Sequence, residues 1–160
     1  MNEILDQLRS TLESELTGRG ITTFFKGKVE IPAQSDLPML MVYPIATRQS
    51  HSGTVRDQAE YDIGVEIVVS LKQYFDMANG QGTQIDALDD LVDIVEERES
   101  DGDAKSNTLI YVINNNITVS DKVLYTNNIE VAYEPYYLAG EFPHAKVTVQ
   151  FTAFDRPNRT

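Results

Sequence analysis

The chain has 160 residues, of which 41% are hydrophobic and 24% charged, which suits one folded domain with a sizeable core. It contains no cysteine, so disulfides and zinc–thiolate sites are excluded, and its net charge of −12 disfavours nucleic-acid binding because phosphates require lysine and arginine. The first residues lack the basic stretch and apolar run of a secretory signal, and no segment reaches the about 20 apolar residues of a membrane helix. We therefore expect a soluble protein that is made in the cytoplasm.

The N-terminal segment predicts a helix followed by a strand. Isoleucine and leucine recur every fourth residue over 2–17, which is typical of an amphipathic helix, and Gly18 and Gly20 end it. Residues 21–31 are rich in β-branched and aromatic side chains and favour a strand, with Gly27 as a candidate bulge.

The central segment predicts two extended strands joined by a long polar hairpin. Residues 39–43 form a continuous apolar run, which fits a strand buried on both faces. Residues 44–60 are polar and predict the hairpin. From residue 61 onward apolar and polar side chains alternate, the clearest strand pattern in the chain. One face would carry Tyr61, Ile63, Val65, Ile67, Val69 and Leu71.

A second helix and a closing hairpin follow. We predict the helix over 83–97, with Thr83 as its cap. Residues 108–113 fit either a short helix or a strand, and 129–137 with 144–154 read as two paired strands around a turn. The expected buried stripe of the helix is Ile85, Leu88, Leu91, Val92 and Val95.

The element order αβββα(x)ββ predicts an α+β fold. We expect a single, mostly antiparallel or mixed β-sheet with helices packed on one face. Residues 1–154 would form this one domain, and residues 155–160 a flexible C-terminal tail.

Negative charge is concentrated around the second helix. Residues 83–103 hold nine acidic residues and one basic residue, a local charge of −8. Asp86, Asp90, Asp93 and Glu97 follow helical spacing and should share one exposed face. This face is either solvated or a functional negative surface. We predict no metal site there, since no histidine joins the set and one straight helix cannot surround an ion.

No catalytic constellation is recognisable, so we predict that the protein is not an enzyme and has no cofactor. His51 and His144 lie in or beside loops, and Ser50 and Ser52 would point away from His51 along a strand. Nucleophile-elbow, metalloprotease and phosphate-loop motifs are missing from the sequence. Aromatic residues that suit sheet packing or a protein interface are Tyr125, Tyr133, Tyr136, Tyr137 and Phe142.

The order of these elements resembles the tail terminator (tail completion) proteins of long-tailed bacteriophages. The resemblance covers roughly residues 1–154 and rests on pattern and length, not on a signature motif. The segments that carry it are the N-terminal helix ending at Gly18–Gly20, LPMLMVYP, the strand AEYDIGVEIVVSL, the helix DALDDLVDIVEE and the closing strand KVTVQFTAF.

The resemblance implies a structural role in the virion, at the head–tail junction, after assembly in the host cytoplasm. Proteins of this family form a hexameric ring on the last ring of tail-tube protein, stop tube polymerisation and present a docking surface to the head. The implied partners are further copies of the chain, the tail tube protein and a head connector or neck protein. DNA would pass through without specific binding, helped by like-charge repulsion, and no membrane is involved.

Two surfaces are candidates for these contacts. The negative lumen or partner surface would consist of Asp86, Asp90, Asp93 and Glu97. The hairpin for subunit or tube contacts would use Arg48, His51, Val55 and Arg56. A lumen lined by the hairpin arginines would contradict the negative-lumen hypothesis. Two alternatives stay open: another neck or head–tail connector protein, and a small-ligand-binding or enzymatic α+β domain.

Overall fold

The computed structural model describes residues 1–50, 58–72, 84–115 and 123–155. Helices in this part of the chain are α1 (Asn2–Glu15), α2 (Gln84–Glu96) and α3 (Leu109–Asn115), and a 3-10 turn lies at Gln34–Asp36. The strands are β1 (Thr23–Lys26), β2 (Met39–Ser50), β3 (Gln58–Ser70), β4 (Val123–Ala139) and β5 (Phe142–Asp155).

The five strands form one mixed sheet in the order β1-β2-β3-β5-β4. β1 pairs with β2 in parallel, and the other neighbours are antiparallel. Buried side chains of α1, α2 and α3 belong to one hydrophobic core cluster with the sheet, so the helices pack on the same face. The predicted α+β fold, with a mixed sheet covered by helices, is confirmed.

β3 alternates between two environments, as its sequence pattern predicts. The helix face of the strand carries Ile63, Val65, Ile67 and Val69, which are at most 1% exposed. The opposite face, called the open face below, carries Asp62, Gly64, Glu66, Val68 and Ser70. Each aliphatic side chain buried in this way contributes about 1.5–3 kcal/mol, which makes β3 the centre of the core.

The first half of β2 is buried on both faces, which confirms the interpretation of its apolar run. Met39 and Met41 face away from the helices and are covered by residues 27–38, called the strap below. The backbone N–H of Val29 contacts the Met41 sulfur at 3.0 Å. The second core cluster beneath the strap consists of Leu37, Met39, Met41 and Val68.

The N-terminal strand is shorter than predicted. Only Thr23–Lys26 pairs with β2. Gly27 has a φ of +110°, a conformation that side chains with a Cβ rarely adopt, and the chain leaves the sheet there to begin the strap. Residues 27–31 therefore belong to the strap, not to a bulged strand.

The helices also refine the predicted pattern. The buried stripe of α2 is Ala87, Leu91, Ile94 and Val95. Leu88 and Val92, predicted to be buried, are half-buried. The ambiguous segment is the helix α3, whose Leu109, Val112 and Ile113 recur at helical spacing and join the core. The predicted cap Thr83 lies outside the described residues.

The closing hairpin turns at Gly140, where φ is +67°. β4 bulges between Glu134 and Tyr137, and Pro135 suits this position because proline has no N–H to donate to a ladder. β5 extends to Asp155, one residue beyond the predicted domain end. The rest of the predicted tail, 156–160, lies outside the described residues.

Candidate functional surfaces

Three of the four acidic residues predicted to share an exposed face of α2 are exposed in the structure. Asp86, Asp90 and Asp93 are exposed, because the buried stripe of the helix faces the sheet on the other side. Carboxylates at this spacing repel one another by about 0.2–0.5 kcal/mol per pair. Below, the acidic surface means these three residues.

Glu97 follows the helix and belongs to an ion-pair cluster. Its carboxylate pairs with Arg19 at 2.6 Å and with Lys105. Hydrogen bonds from Lys105 and then Arg19 lower the pKa of Glu97, and the same contact with Glu97 raises the pKa of Lys105. Arg19 also donates to the backbone and side chain of Asn107. Glu97 therefore ties the loop after α1 to the loop before α3.

A shallow cleft of about 390 Å³ lies beside the acidic surface. Its lining includes Asp90, Asp93 and the Gly18–Gly20 loop, which passes close to α2. Arg19 also lines the cleft, and its guanidinium donates hydrogen bonds to Glu97 and Asn107. The carboxylates of Asp90 and Asp93 therefore give this cleft a negative charge.

Arg48, predicted as a contact residue of the hairpin, pairs within its own sheet. Its guanidinium lies 2.8 Å from the carboxylate of Asp62 and 3.4 Å from that of Glu60. Thr152 donates its hydroxyl to Asp62 at 2.8 Å, which orients the carboxylate from the other side. An open groove of about 260 Å³ adjoins these side chains on β2, β3 and β5.

The remaining hairpin candidates cannot be placed. His51, Val55 and Arg56 lie in 51–57, outside the described residues. Antiparallel pairing from Ser50 and Gln58 inward agrees with the predicted hairpin. Its use for subunit or tube contacts stays a prediction.

Large apolar side chains are exposed at the opposite end of the sheet. Ile31 of the strap is 69% exposed and Leu138 of β4 is 63% exposed. The Ile31 Cγ2 atom lies 3.6 Å from the position of a Cβ on Gly140, which places the strap against the β4–β5 turn. The apolar end, as this surface is called below, consists of Ile31, Tyr136, Leu138 and Phe142.

A buried carboxylate occupies the centre of the open face. Glu66 is 3% exposed, and its oxygens lie 3.4 Å from Lys146 Nζ and 3.9 Å from Lys28 Nζ. The hydroxyls of Tyr43 and Thr148 donate to it at 3.2 and 3.4 Å. Burial, followed by the charge of Glu66, raises the pKa of Tyr43 to about 12. A buried charge needs this degree of pairing, because desolvation penalises an isolated carboxylate.

The two lysines also pack on aromatic rings. Lys28 Nζ lies 5.3 Å from the centroid of Tyr43, and Lys146 Nζ lies 4.8 Å from that of Tyr137. Because Lys28 belongs to the strap, these contacts help to hold the strap on the sheet. Sequence reasoning missed this network, although the polar position of Glu66 within a strongly apolar strand was the available signal.

His144 lies on β5, as the predicted strand 144–154 implies, although the observed strand begins two residues earlier. It is fully buried and contacts the Tyr137 ring with centroids 5.4 Å apart. Its Nε2 lies 3.1 Å from the amide nitrogen of Gln34, whose amide oxygen accepts a 2.8 Å hydrogen bond from Ser70. In β5 the apolar residues Val147, Val149 and Phe151 alternate with polar ones. Continuing this alternation towards the N-terminus would have placed His144 on the open face.

The C-terminal aromatic residues divide between packing and exposure. Tyr133 packs against α2 and donates its hydroxyl to Glu96 at 2.9 Å, and burial raises its pKa. Tyr136 and Phe142 belong to the apolar end. The side chain of Tyr125 lies outside the described part of the chain.

Comparison of the sequence with protein-family models and with curated proteins gives no match. In residues 1–50, 58–72, 84–115 and 123–155, no three acidic, histidine or cysteine side chains form a group that could hold a metal ion. None of the helices in these ranges has the length and apolar character needed to cross a membrane.

Proposed function

We propose that this protein is a non-catalytic structural component of a long-tailed phage that caps the tail tube as a ring. In this role it ends tube polymerisation and offers the head its docking surface. The element order resembles that of tail terminator proteins, and the α+β architecture with helices on one face agrees with that resemblance. The resemblance supplies the hexameric number of subunits.

The apolar end is the observation that carries the proposal. Four of the five large hydrophobic side chains exposed in the described residues lie there, and the fifth, Ile45, lies on β2. Large apolar side chains that are exposed together at one end of a sheet are typical of protein contact surfaces, since water contact costs about 25 cal/mol per Å² of apolar area. We assign the apolar end to contacts between neighbouring copies in the ring.

The acidic surface supports the same role in a different way. Asp86, Asp90 and Asp93 would repel the phosphates of DNA passing through a ring, provided that α2 faces the lumen. If α2 instead faces outward, the acidic surface is available to a basic neighbour such as the tube or the head connector. Both arrangements require that the contacts between neighbouring copies leave these carboxylates uncovered.

Native mass spectrometry of three proteins tests the proposal. The wild type should form a hexamer, alone or after addition of purified tail tube protein. Leu138→Ser combined with Phe142→Ser should remain monomeric, because the contact loses two of its four large apolar side chains. Ile45→Ser is the matched control, an exposed apolar side chain outside the apolar end, and should assemble normally.

Other outcomes would favour the alternatives. If all three proteins stay monomeric with the tube protein present, the ring proposal is wrong. Binding to the head connector without affinity for the tube would favour another neck or connector protein. A stable dimer that retains a small molecule would favour a ligand-binding domain.

A further inference from the structure

Besides the contacts of Lys28 at its start, the strap is attached to the open face by polar contacts of Gln34 near its end. Residues 27–38 cross from β1 towards β5 and cover the small apolar cluster around Met39 and Met41. Gln34 sits in the 3-10 turn of the strap and reaches both Ser70 on β3 and His144 on β5. This three-residue chain joins the strap to the two central strands of the sheet.

The hydrogen-bond directions in this chain favour a neutral histidine. Ser70 donates to the amide oxygen of Gln34, so the other end of the amide is its NH₂ group, a donor. With the Gln34 amide in this orientation, the His144 Nε2 atom, 3.1 Å from that nitrogen, accepts and carries no proton. The single ring proton is then on Nδ1, which is buried and has no hydrogen-bond partner among the described residues. The closed strap in this arrangement matches a neutral His144.

Protonation would remove the acceptor. A cationic imidazole carries N–H groups at both nitrogens, so Nε2 would face the Gln34 amide donor with a donor of its own. The positive charge would also lie in a fully buried position. An open strap relieves both penalties, because His144 and Gln34 then reach water.

The two carboxylates that β3 and β4 place near the ring are engaged in ion pairs. Glu66 and Glu134 both pair with Lys146, and Glu66 also lies near Lys28. The titratable groups on the elements packed around His144 are Tyr137 and Glu134 of β4, Lys146 of β5, Glu66 of β3, and Lys28 and Asp36 of the strap.

We propose that Gln34, Ser70 and His144 form a pH-sensitive latch that holds the strap on the sheet while His144 is neutral and releases it when His144 is protonated. Release would uncover the apolar cluster beneath the strap. It would also move Ile31, which the strap contributes to the apolar end. The latch does not rest on the proposed ring function, although its release would affect the same apolar end.

The direction of the pH dependence follows from burial. Burial lowers the pKa of His144, and an interaction with the Phe142 backbone opposes this shift in part. The open state binds the proton at the ordinary value of about 6.5, so the closed state is favoured above that pH. Below it, the ratio of closed to open strap falls by about tenfold per pH unit until the lowered pKa is reached.

Hydrogen exchange of the strap amides between pH 7.5 and 5.5, corrected for intrinsic rates, tests the latch. Protection of residues 28–37 should fall by about tenfold as the pH drops through this range. Amides of β3 should stay protected, which separates local release from global unfolding. Imidazole NMR of the full chain in a His51→Gln background, which leaves one histidine, should report the lowered pKa of His144 directly.

Gln34→Glu should reverse the pH dependence. A carboxylate accepts from Ser70 and from a protonated His144, so the strap should be more protected at pH 5.5 than at 7.5, and the pKa of His144 should rise. Gln49→Glu, the same change at an exposed position on β2, should behave as the wild type. Strap protection that is independent of pH in the wild type, or identical pH profiles for the two variants, would overturn the latch.

Discussion

Replacing Gly64 with alanine tests whether the ring of Tyr43 organises the open face. The two residues are partners in the β2–β3 ladder, and the ring lies across the glycine. A Cβ on residue 64 would lie 2.6 Å from Cε2 and 2.7 Å from Cζ of Tyr43, closer than carbon atoms can approach. Because these atoms are at the far end of a side chain, the ring moves rather than the backbone.

The cost follows from the contacts that the moving ring loses. Its hydroxyl gives up a hydrogen bond to the buried carboxylate of Glu66, worth about 1.5 kcal/mol at the long distance of 3.2 Å. Its stacking with the half-exposed Lys28 contributes about 0.5–1 kcal/mol more. Alanine in a strand stabilises the folded state by about 0.5–1 kcal/mol relative to glycine, which offsets part of this loss. We expect Gly64→Ala to lower the free energy of unfolding by about 1–2 kcal/mol.

A double-mutant cycle in urea separates the ring from the backbone. Gly64→Ala, Tyr43→Ala and the double variant are unfolded in parallel with the wild type, followed by circular dichroism. In the Tyr43→Ala background the alanine should be neutral or stabilising by about 0.5–1 kcal/mol, since nothing then blocks its Cβ. An equal loss of stability in both backgrounds would refute the reasoning, because the cost would then come from the strand itself.

Further predictions concern the core and the acidic segment. Val65→Asp should destabilise the domain by at least about 4 kcal/mol, because an unpaired charge replaces a fully buried side chain, and circular dichroism should show no folded protein. Glu97→Gln should lower the melting temperature at neutral pH. Since the pKa of Glu97 is lowered, its pairs stabilise the protein above pH 4.5, and the difference from the wild type should shrink as the pH falls through the lowered value. Asp86, Asp90 and Asp93 changed together to asparagine should leave the melting temperature nearly unchanged, and unchanged phage assembly would contradict a functional acidic surface.

Local patterns were sufficient where one periodicity dominates a segment. The alternation in β3 predicted its two faces, since a period of two leaves a strand only one way to bury its apolar side chains. The continuous apolar run of 39–43 predicted a strand buried on both faces, because successive side chains of a strand point to opposite faces and all of these are apolar. Predictions were wrong where the conformation depends on tertiary contacts. Residues 27–31 were predicted as part of a strand, yet they pass over the sheet because the chain turns away at Gly27.

The acidic segment shows the same division. Helical spacing grouped Asp86, Asp90, Asp93 and Glu97 on one face, and the first three are exposed as predicted. Glu97 differs because Arg19, 78 residues away in the chain, lies beside it in the fold. Periodicity within one helix carries no information about such a distant partner.

Composition and local periodicity were enough to predict the fold class, the absence of cysteine chemistry, the core of β3 and the concentration of negative charge near α2. Which polar groups are buried together depends instead on the way the strands pair. Glu66 and His144 became partners of the strap through strand pairing and register, which bring residues from β3, β5 and the strap onto one face. Burial then determines their chemistry, since a charge or a ring nitrogen removed from water depends on the groups that the fold places beside it.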